Sequence, residues 1–289
     1  MTDAEYDYDS WAWLYDRTLG PDYSRRKMGF FDRVVLGDLP PGARVLDLCC
    51  GTGQMMAHMH ARGLAVTGLD MSRDMLAYAR KNVPGTELIE GDARDFTLPD
   101  PVSAVICASA SLNHIATRDD LAQVFRAVAA ALKDGGTFVF DINHPAQMAR
   151  HWTGTPAAGD IRPDYAWMIT PRYDAAAATG SFTVDMFRRS TARPVALWAA
   201  VVSALMRRRF MTAAKLARLH RMTRHHPGWD HTSVTYPVHA HPIETVLELL
   251  KGAGLHARAE TLAGGTQIGA DSAACFIAQK PGSVAKDAA

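Results

Sequence analysis

The chain has 289 residues, more than one minimal domain needs and fewer than two full-sized domains, so we expect one α/β core with an insertion. Apolar residues make up 48% of the sequence and the formal net charge is +1, so a large core can form while the overall charge favours no partner. The four cysteines lack paired spacing, and the acidic, polar N-terminus does not resemble a signal peptide, which predicts a cytoplasmic protein with reduced thiols.

Helices and short apolar strands alternate through the first half of the chain. Residues 10–37 are predicted to form one or two helices, broken near Gly20 and Pro21. The following elements are then predicted in chain order: a strand at 43–48, a helix at 53–61, a strand at 65–70, a helix capped by Ser72, strands at 87–90 and 104–108, a helix at 119–132, a turn at 134–136 and a strand at 137–142. Apolar strands separated by helices predict a parallel sheet that is covered on both faces.

The alternation stops after the fifth strand. Residues 144–240 are predicted to hold a hairpin at 165–173 and 182–188, a helical stretch at about 194–222 and a His-rich loop, after which a helix at 243–251 and strands at 256–262 and 273–279 restore the core pattern. We therefore predict a Rossmann-like, seven-stranded, mainly parallel sheet. Its organisation is expected to be a helical lid at 1–39, a core at 40–143 and 241–280, an inserted α+β subdomain at 144–240 that caps the substrate, and a flexible tail at 281–289.

A glycine-rich turn, VLDLCCGTG at 45–53, follows the first strand and precedes a helix. Such a turn serves several nucleotide-like cofactors. The third glycine of a dinucleotide motif is replaced by Met56, and no Gly-Lys-Ser/Thr is present, which disfavours NAD and phosphate-loop ligands. Asp47, four residues before Gly51, would repel a pyrophosphate and suits a ligand that carries sulfonium and ammonium groups.

Acidic residues also follow the next two strands. Asp70 ends the second strand, where it can accept two hydrogen bonds from a ribose diol, and Met71 is placed to pack on an adenine face. Asp92 follows the third strand, where a carboxylate can accept a hydrogen bond from an adenine amino group. Each aspartate alone is equally well explained as a turn or cap residue, but three at successive strand ends favour one nucleoside-binding edge.

The segments D-L-C-C-G-T-G, L-D-M-S and E-G-D-A-R-D resemble motifs I, II and III of the class I S-adenosylmethionine (SAM)-dependent methyltransferases, and 274–280 resembles their seventh strand. The resemblance implies SAM as methyl donor, S-adenosylhomocysteine as product, and methyl transfer to a nitrogen or oxygen of a small molecule. Cys50 departs from the glycine or alanine common at its position. The implied cofactor contacts are Tyr15, Asp47, Cys49, Gly51, Gly53, Asp70, Met71, Asp92, Ala93 and Ala108.

The Y-D-x-x-A-x-x-Y-D segment at 8–16 resembles the lid of small-molecule N-methyltransferases such as glycine N-methyltransferase and the sugar-amine dimethyltransferases. This resemblance implies that Tyr15, and next Tyr8, approach SAM or the acceptor; the alternative is that they anchor a packed helix. The segment S-A-S-L-N-H at 109–114 is similar to a loop of the sugar-amine enzymes, which implies His114 as proton acceptor with Tyr15 orienting the acceptor. Trp167, Tyr236 and His239 are further candidate acceptor contacts, although the aromatic residues could equally form the insertion's own core.

The sequence has no acidic residue between Asp185 and Asp230, while ten lysines and arginines lie within 188–224 beside the apolar run 195–206. One-signed charge indicates an anionic surface, a carrier protein or an anionic substrate, or else a merely solvated face. Nucleic acid is disfavoured because no recognition motif is present, and no metal is predicted because the histidines lack further ligands at suitable spacing. A homodimer is allowed, and the competing functions are a SAM-binding regulatory module and a nicotinamide oxidoreductase.

Overall fold

The computed structural model describes residues 8–190 and 212–282. Predictions about 1–7, 191–211 and 283–289 lie outside the described residues; they include the start of the lid, the apolar run 195–206, most of the helical stretch and most of the tail. The described residues form two compact units, 8–147 with 239–282 and 148–190 with 212–238.

The larger unit is built on a seven-stranded sheet. Its strands are β1 (Arg44–Leu48), β2 (Ala65–Asp70), β3 (Glu87–Glu90), β4 (Val102–Cys107), β5 (Leu132–Ile142), β10 (His256–Glu260) and β11 (Ala274–Gln279). They lie in the order β10-β11-β5-β4-β1-β2-β3. Strands β1 to β5 pair in parallel, and β11 runs antiparallel to both β5 and β10. This arrangement confirms the predicted Rossmann-like sheet, and its parallel carboxyl ends meet at one edge.

Helices cover both faces of this sheet. They are α1 (Ala12–Arg17), α2 (Leu19–Val34), α3 (Gln54–Ala61), α4 (Arg73–Asn82), α5 (Arg118–Ala131) and α8 (Ile243–Gly252). Helix α6 (Pro145–His151) follows β5, and most of its residues belong to the smaller unit. Alternate strand residues join different clusters: Leu46 packs with α5 and α8, whereas Val45 packs with α2, α3 and α4. The apolar spacing of a buried parallel sheet therefore produces two cores, one on each face.

The break between the first two helices differs from the prediction. Helix α1 ends at Arg17, where the Thr18 hydroxyl donates to the Leu14 carbonyl oxygen at 2.6 Å. Helix α2 begins at Leu19, so Gly20 and Pro21 lie in its first turn. Proline is tolerated there because the N–H groups of a first turn have no partner within the helix. The prediction that the break lies near Gly20 was wrong by about half a turn.

The turn predicted at 134–136 lies inside strand β5. Gly135 has φ of +76°, and the pairing with β4 shifts from Val102 opposite Leu132 to Ala104 opposite Thr137. The glycine-rich segment is therefore a bulge that keeps the strand continuous, rather than a turn that starts it.

The smaller unit contains a four-stranded sheet in the order β6 (Ala158–Ile161), β7 (Tyr165–Asp174), β8 (Thr179–Arg189) and β9 (Trp229–His239), with helix α7 (Thr212–Met222). Strands β7 and β8 confirm the predicted hairpin. The His-rich segment is divided between a loop at 223–228, which contains His225 and His226, and strand β9, in which Tyr236 and Val238 alternate with less buried neighbours. None of the described helices is long and apolar enough to cross a membrane.

Candidate functional site

The glycine-rich turn lies at the carboxyl edge of the larger sheet. Cys49, a non-glycine residue, has φ of +58°, and Gly51 has φ of +52°. A Cβ on Gly51 would lie 3.6 Å from Cε1 of the Tyr15 ring, whereas a Cβ on Gly53 would lie 3.3 Å from Cα of Ala79 in α4. Gly53 therefore permits close helix packing at the start of α3, and the strained turn at Cys49 and Gly51 faces the lid.

Asp47 is the most unusual group in this turn. It is 2% exposed, and its Oδ2 has no hydrogen-bond partner. Burial, reinforced by the nearby Asp70, raises the pKa of Asp47 well above its usual value. A buried carboxylate oxygen without a partner is costly, and a cationic ligand group would satisfy it. The carboxylates of Asp47 and Asp70 therefore fit a ligand that carries positive charge.

Asp70 fixes the turn and retains binding capacity. Its Oδ2 accepts a hydrogen bond from the Gly51 N–H at 2.8 Å, and its Oδ1 accepts one from the Ser72 N–H at 2.9 Å. Burial raises the pKa of Asp70, and these N–H groups oppose that shift. The Met71 N–H also bonds this carboxylate, so three of its roughly four lone-pair sites are used and one remains for a ribose hydroxyl. The neighbouring Met71 is 53% exposed, which leaves its apolar side chain accessible.

Asp92 forms an ion pair with Arg94. The Arg94 side chain donates from Nε at 3.0 Å and from Nη2 at 2.5 Å, and the Arg94 backbone N–H donates at 2.8 Å. Partial burial alone would raise the pKa of Asp92, but the hydrogen bonds and positive charge of Arg94 lower it overall. Ala93 is buried at 8% exposure. Contact of Asp92 or Ala93 with an adenine stays a prediction.

The lid segment brings two tyrosines to the loop after β4. The Tyr8 hydroxyl oxygen lies 2.5 Å from Nε2 of His114, and the Tyr15 hydroxyl is hydrogen-bonded to Ser109. Burial raises the pKa of Tyr15, so its hydroxyl stays protonated at neutral pH. The two tyrosines thus have separate partners on one loop.

The aspartates that follow these tyrosines attach the lid to the sheet edge, a role that the sequence interpretation missed. Oδ1 of Asp9 accepts from the Ser72 hydroxyl at 2.5 Å and from the Asp74 N–H at 3.0 Å, at the start of α4. Oδ1 of Asp16 accepts from the side-chain amides of Gln54 at 3.0 Å and Asn82 at 2.6 Å. The repeated Tyr-Asp pair was the available signal.

A pocket of about 310 Å³, including space open to solvent, lies beside the glycine turn. Its lining residues are Tyr15, Gly20, Ser24, Asp47, Cys49, Cys50, Gln54, Met55, Ala108 and Ser109. Four predicted cofactor contacts, Tyr15, Asp47, Cys49 and Ala108, are therefore brought together. Gly20, Ser24, Gln54 and Ser109 were not predicted, because only the fold brings the lid and the β4 loop to this turn.

The loop that carries His114 is rigidly anchored. Asn113 is 1% exposed; its Nδ2 donates to the carbonyl oxygens of Asn143 at 2.9 Å and His239 at 2.7 Å, and its Oδ1 accepts from the Asn143 N–H at 2.8 Å. Nε2 of His241 donates to the Ile115 carbonyl oxygen at 3.0 Å. Burial lowers the pKa of His241, which is consistent with a neutral, structural imidazole.

The other predicted acceptor contacts lie on strands of the smaller sheet or at the end of one. Trp167 is 7% exposed and its Nε1 has no partner. Tyr236 is 1% exposed and its ring centroid lies 5.2 Å from that of Phe182, so it packs within the smaller unit. His239 ends β9 and His241 lies beyond it, so the two residues do not share a strand face.

Two histidines of the smaller unit, His226 and His231, pack with acidic or aromatic neighbours. Nε2 of His231 lies 2.8 Å from Oδ1 of Asp185, and the His231 ring stacks on Phe187 at a centroid distance of 4.4 Å. Within 8–190 and 212–282, no group of three or more His, Cys, Asp or Glu side chains is arranged to hold a metal ion.

Comparisons with known proteins identify a methyltransferase domain. Residues 45–136 match the family model with that description. The chain is 34% identical over 122 residues to the dTDP-3-amino-3,4,6-trideoxy-alpha-D-glucopyranose N,N-dimethyltransferase of Streptomyces venezuelae, covering 42% of this chain and 51% of that relative. It is 39% identical over 128 residues to the dTDP-3-amino-3,6-dideoxy-alpha-D-glucopyranose N,N-dimethyltransferase of Streptomyces fradiae, covering 43% and 50%. The chain thus spans about half the length of these relatives.

The structural likeness extends over nearly the whole chain. The crystal structure of Streptomyces venezuelae DesVI covers 96% of this chain and 99% of its own, with a TM-score of 0.67 and 21% sequence identity. At that identity the likeness shows the fold alone. Together with the domain match, it confirms the predicted resemblance of the core to class I SAM-dependent methyltransferases.

Proposed function

We propose that this chain transfers a methyl group from SAM to an amino nitrogen of a small-molecule acceptor, in the class of nucleotide-linked amino sugars. The observation that carries the proposal is the buried, unpartnered Oδ2 of Asp47 beside a strained glycine turn, since this combination suits a cationic nucleoside ligand. The amino-sugar class is supported by the printed activities of two relatives.

Several groups would hold the cofactor. Asp47 would face its positive charge, Asp70 its ribose and Met71 its adenine, while Gly51 leaves room for Tyr15 above the turn. Bound SAM supplies an electrophilic methyl group on a sulfonium that leaves readily. The remaining predicted contacts at this sheet edge are Cys49, Gly53, Asp92, Ala93 and Ala108.

The chain must also orient the acceptor and remove a proton from it, because an ammonium nitrogen has no lone pair for attack. A neutral imidazole can accept that proton near pH 7. The Tyr8 hydroxyl contacts Nε2 of His114, so this nitrogen faces the side from which an acceptor would arrive. Burial keeps the Tyr15 hydroxyl protonated, and its hydrogen bond with Ser109 holds it beside the same loop. Trp167, Tyr236 and His239 stay predicted acceptor contacts, as does the assignment of 144–240 to acceptor binding.

Binding and turnover measured on the same protein test this function. We expect SAM and S-adenosylhomocysteine to bind in a calorimetric titration and NAD not to bind. We then expect dTDP-linked amino sugars, but not phenols, to yield S-adenosylhomocysteine and an acceptor heavier by one or two methyl groups. Binding of NAD alone would contradict the SAM assignment, whereas SAM binding without turnover on any amine would favour a regulatory module.

Helix α7 presents a basic face that the methyl-transfer site does not use. Leu219 and Met222 are buried in the smaller unit, while Arg218 and Arg221 on the helix and Arg224 just beyond its end are exposed. No described carboxylate lies within ion-pair distance of these three arginines, in contrast to Lys215, whose Nζ lies 3.1 Å from Oδ1 of Asp160. We propose that this face binds anionic lipid headgroups, with self-association as a further untested prediction.

Vesicle binding tests the basic face of α7. The protein should co-sediment with vesicles of phosphatidylglycerol and phosphatidylcholine but not with phosphatidylcholine alone, and binding should weaken at high salt because exposed charges are screened within about 8 Å at physiological ionic strength. The R218Q/R221Q/R224Q variant should lose most of the binding. The matched control R126Q/K133Q/K251Q removes equal charge from exposed positions of the larger unit and should retain it. Equal loss in both variants would refute a specific lipid-binding face.

A further inference from the structure

A buried carboxylate on the central sheet contacts the lid helix α2. Asp141 is the tenth residue of β5 and is 3% exposed. Its Oδ2 accepts a hydrogen bond from Nζ of Lys27 at 2.6 Å, and the Lys27 side chain is 13% exposed. An ionised carboxylate in such surroundings needs a partner of opposite charge, and Lys27 supplies it from α2.

The second oxygen of Asp141 holds the loop after β4. Oδ1 accepts a hydrogen bond from the Ser109 N–H at 2.9 Å. Ser109 has φ of +69° and Ala110 has φ of +58°, two consecutive left-handed residues that are not glycine. Such a backbone persists only where its surroundings hold it, and Asp141 supplies the acceptor for the first of the two N–H groups. The His114 turn begins directly after this pair.

We propose that Lys27 and Asp141 are positioning residues that couple closure of the lid to the conformation of the His114 loop. One carboxylate serves both elements, so its charge is balanced only while α2 is in place. If α2 moves away, Asp141 loses its counter-charge and must be solvated by water instead, which weakens its hold on Ser109. Lid closure and ordering of the loop then occur together. Tyr15 of the lid also forms a hydrogen bond with Ser109, which links the two segments a second time.

This inference rests on the proposed function for its catalytic meaning, but the coupling itself is a property of the free protein. It predicts that removing the lysine on α2 alters a backbone amide that the lysine does not touch. A purely local role for the ion pair in packing α2 predicts no change at that amide. Amide hydrogen exchange of the full chain without ligand separates the two cases.

The test compares K27M with R26M, which removes an exposed cation one residue away on the same helix. In K27M, exchange should become faster by about tenfold or more both in α2 and at the Ser109 amide, whereas R26M should match the wild type at Ser109. Faster exchange in α2 with an unchanged Ser109 amide would overturn the coupling. If K27M does not fold, K27Q keeps a hydrogen-bond donor for Oδ2 of Asp141 but removes the counter-charge, and wild-type protection of the Ser109 amide in that variant would equally overturn the proposal.

Kinetics then relate the coupling to methyl transfer. K27M should raise the Kd for SAM and lower kcat, each by about tenfold, although Lys27 lines neither the glycine turn nor the His114 turn. R26M should change neither value. If no acceptor is methylated, the proposed function fails while the exchange result still decides the coupling, so the two failures are distinguishable.

Discussion

Replacement of His114 by alanine is expected to lower kcat by about 10²–10⁴-fold while leaving the affinity for SAM nearly unchanged. The size of the expected loss in kcat follows from the role of a positioned base in proton transfer. The affinity for SAM should be spared because of where His114 lies. His114 lies in the loop after β4, whose anchors are Asn113 and Asp141, and it does not line the pocket beside the glycine turn.

The pH dependence distinguishes loss of a base from loss of structure. In the His114→Ala variant, activity should recover as pH rises, because a growing fraction of the acceptor amine is already deprotonated in solution. The His256→Ala variant removes an exposed histidine on β10 and should behave as the wild type. If His114→Ala keeps near wild-type kcat at neutral pH, positioning alone suffices. His239 would then be the next candidate, because Nε2 of His241 is committed to the Ile115 carbonyl oxygen.

The contact between Tyr8 and His114 bears on how the acceptor reaches the proposed base. Its hydroxyl lies 2.5 Å from Nε2 of His114, so the nitrogen assigned to proton removal already has a partner from the lid. An incoming acceptor therefore either displaces Tyr8 or approaches through its hydroxyl. Tyr8→Phe would raise kcat or leave it unchanged in the first case and lower it in the second.

The larger sheet could be predicted from the sequence because its strands are short apolar runs with aspartates or glycines at their carboxyl ends. Asp47 and Asp70 were placed correctly at the sheet edge for this reason. What the spacing did not reveal was their local bonding. Asp70 is held by Gly51 and Ser72, and Asp92 by Arg94, which are contacts that depend on loop conformation rather than on strand order.

Contacts between segments far apart in the chain were the main omission. Asp9 and Asp16 act as lid attachments only because α4 and α3 begin beside them, and Lys27 meets Asp141 across 114 positions of sequence. Strand β9 of the insertion was missed for a different reason. The histidines suggested a loop, and His225 and His226 do lie in one, but the apolar residues at alternate positions that end with Tyr236 and Val238 form a strand.

Asp47→Asn is expected to weaken SAM binding by about 10–100-fold, the loss that follows when a charged group no longer meets its partner. The same change should raise the thermal stability of the SAM-free protein at pH 7–8. Burial raises the pKa of Asp47 in the folded protein, so this carboxyl is ionised more easily when unfolded, and its contribution to stability falls as pH rises above the unfolded value. The neutral asparagine removes that penalty.

The pH dependence of SAM binding gives the decisive measurement. A cationic ligand binds the ionised form of Asp47, so wild-type affinity should be highest above the raised pKa and should fall by up to about tenfold per pH unit below it, with proton release on binding at lower pH. Asp47→Asn should flatten this profile, while the exposed control Asp119→Asn should retain it. Calorimetry in buffers of different ionisation enthalpy measures the released proton directly. A pH-independent wild-type affinity would mean that the positive charge of the ligand lies elsewhere and that Asp47 serves only to shape the turn. If Asp47→Asn instead gains stability and loses affinity for SAM, the buried carboxylate is kept for binding at a cost to the stability of the fold.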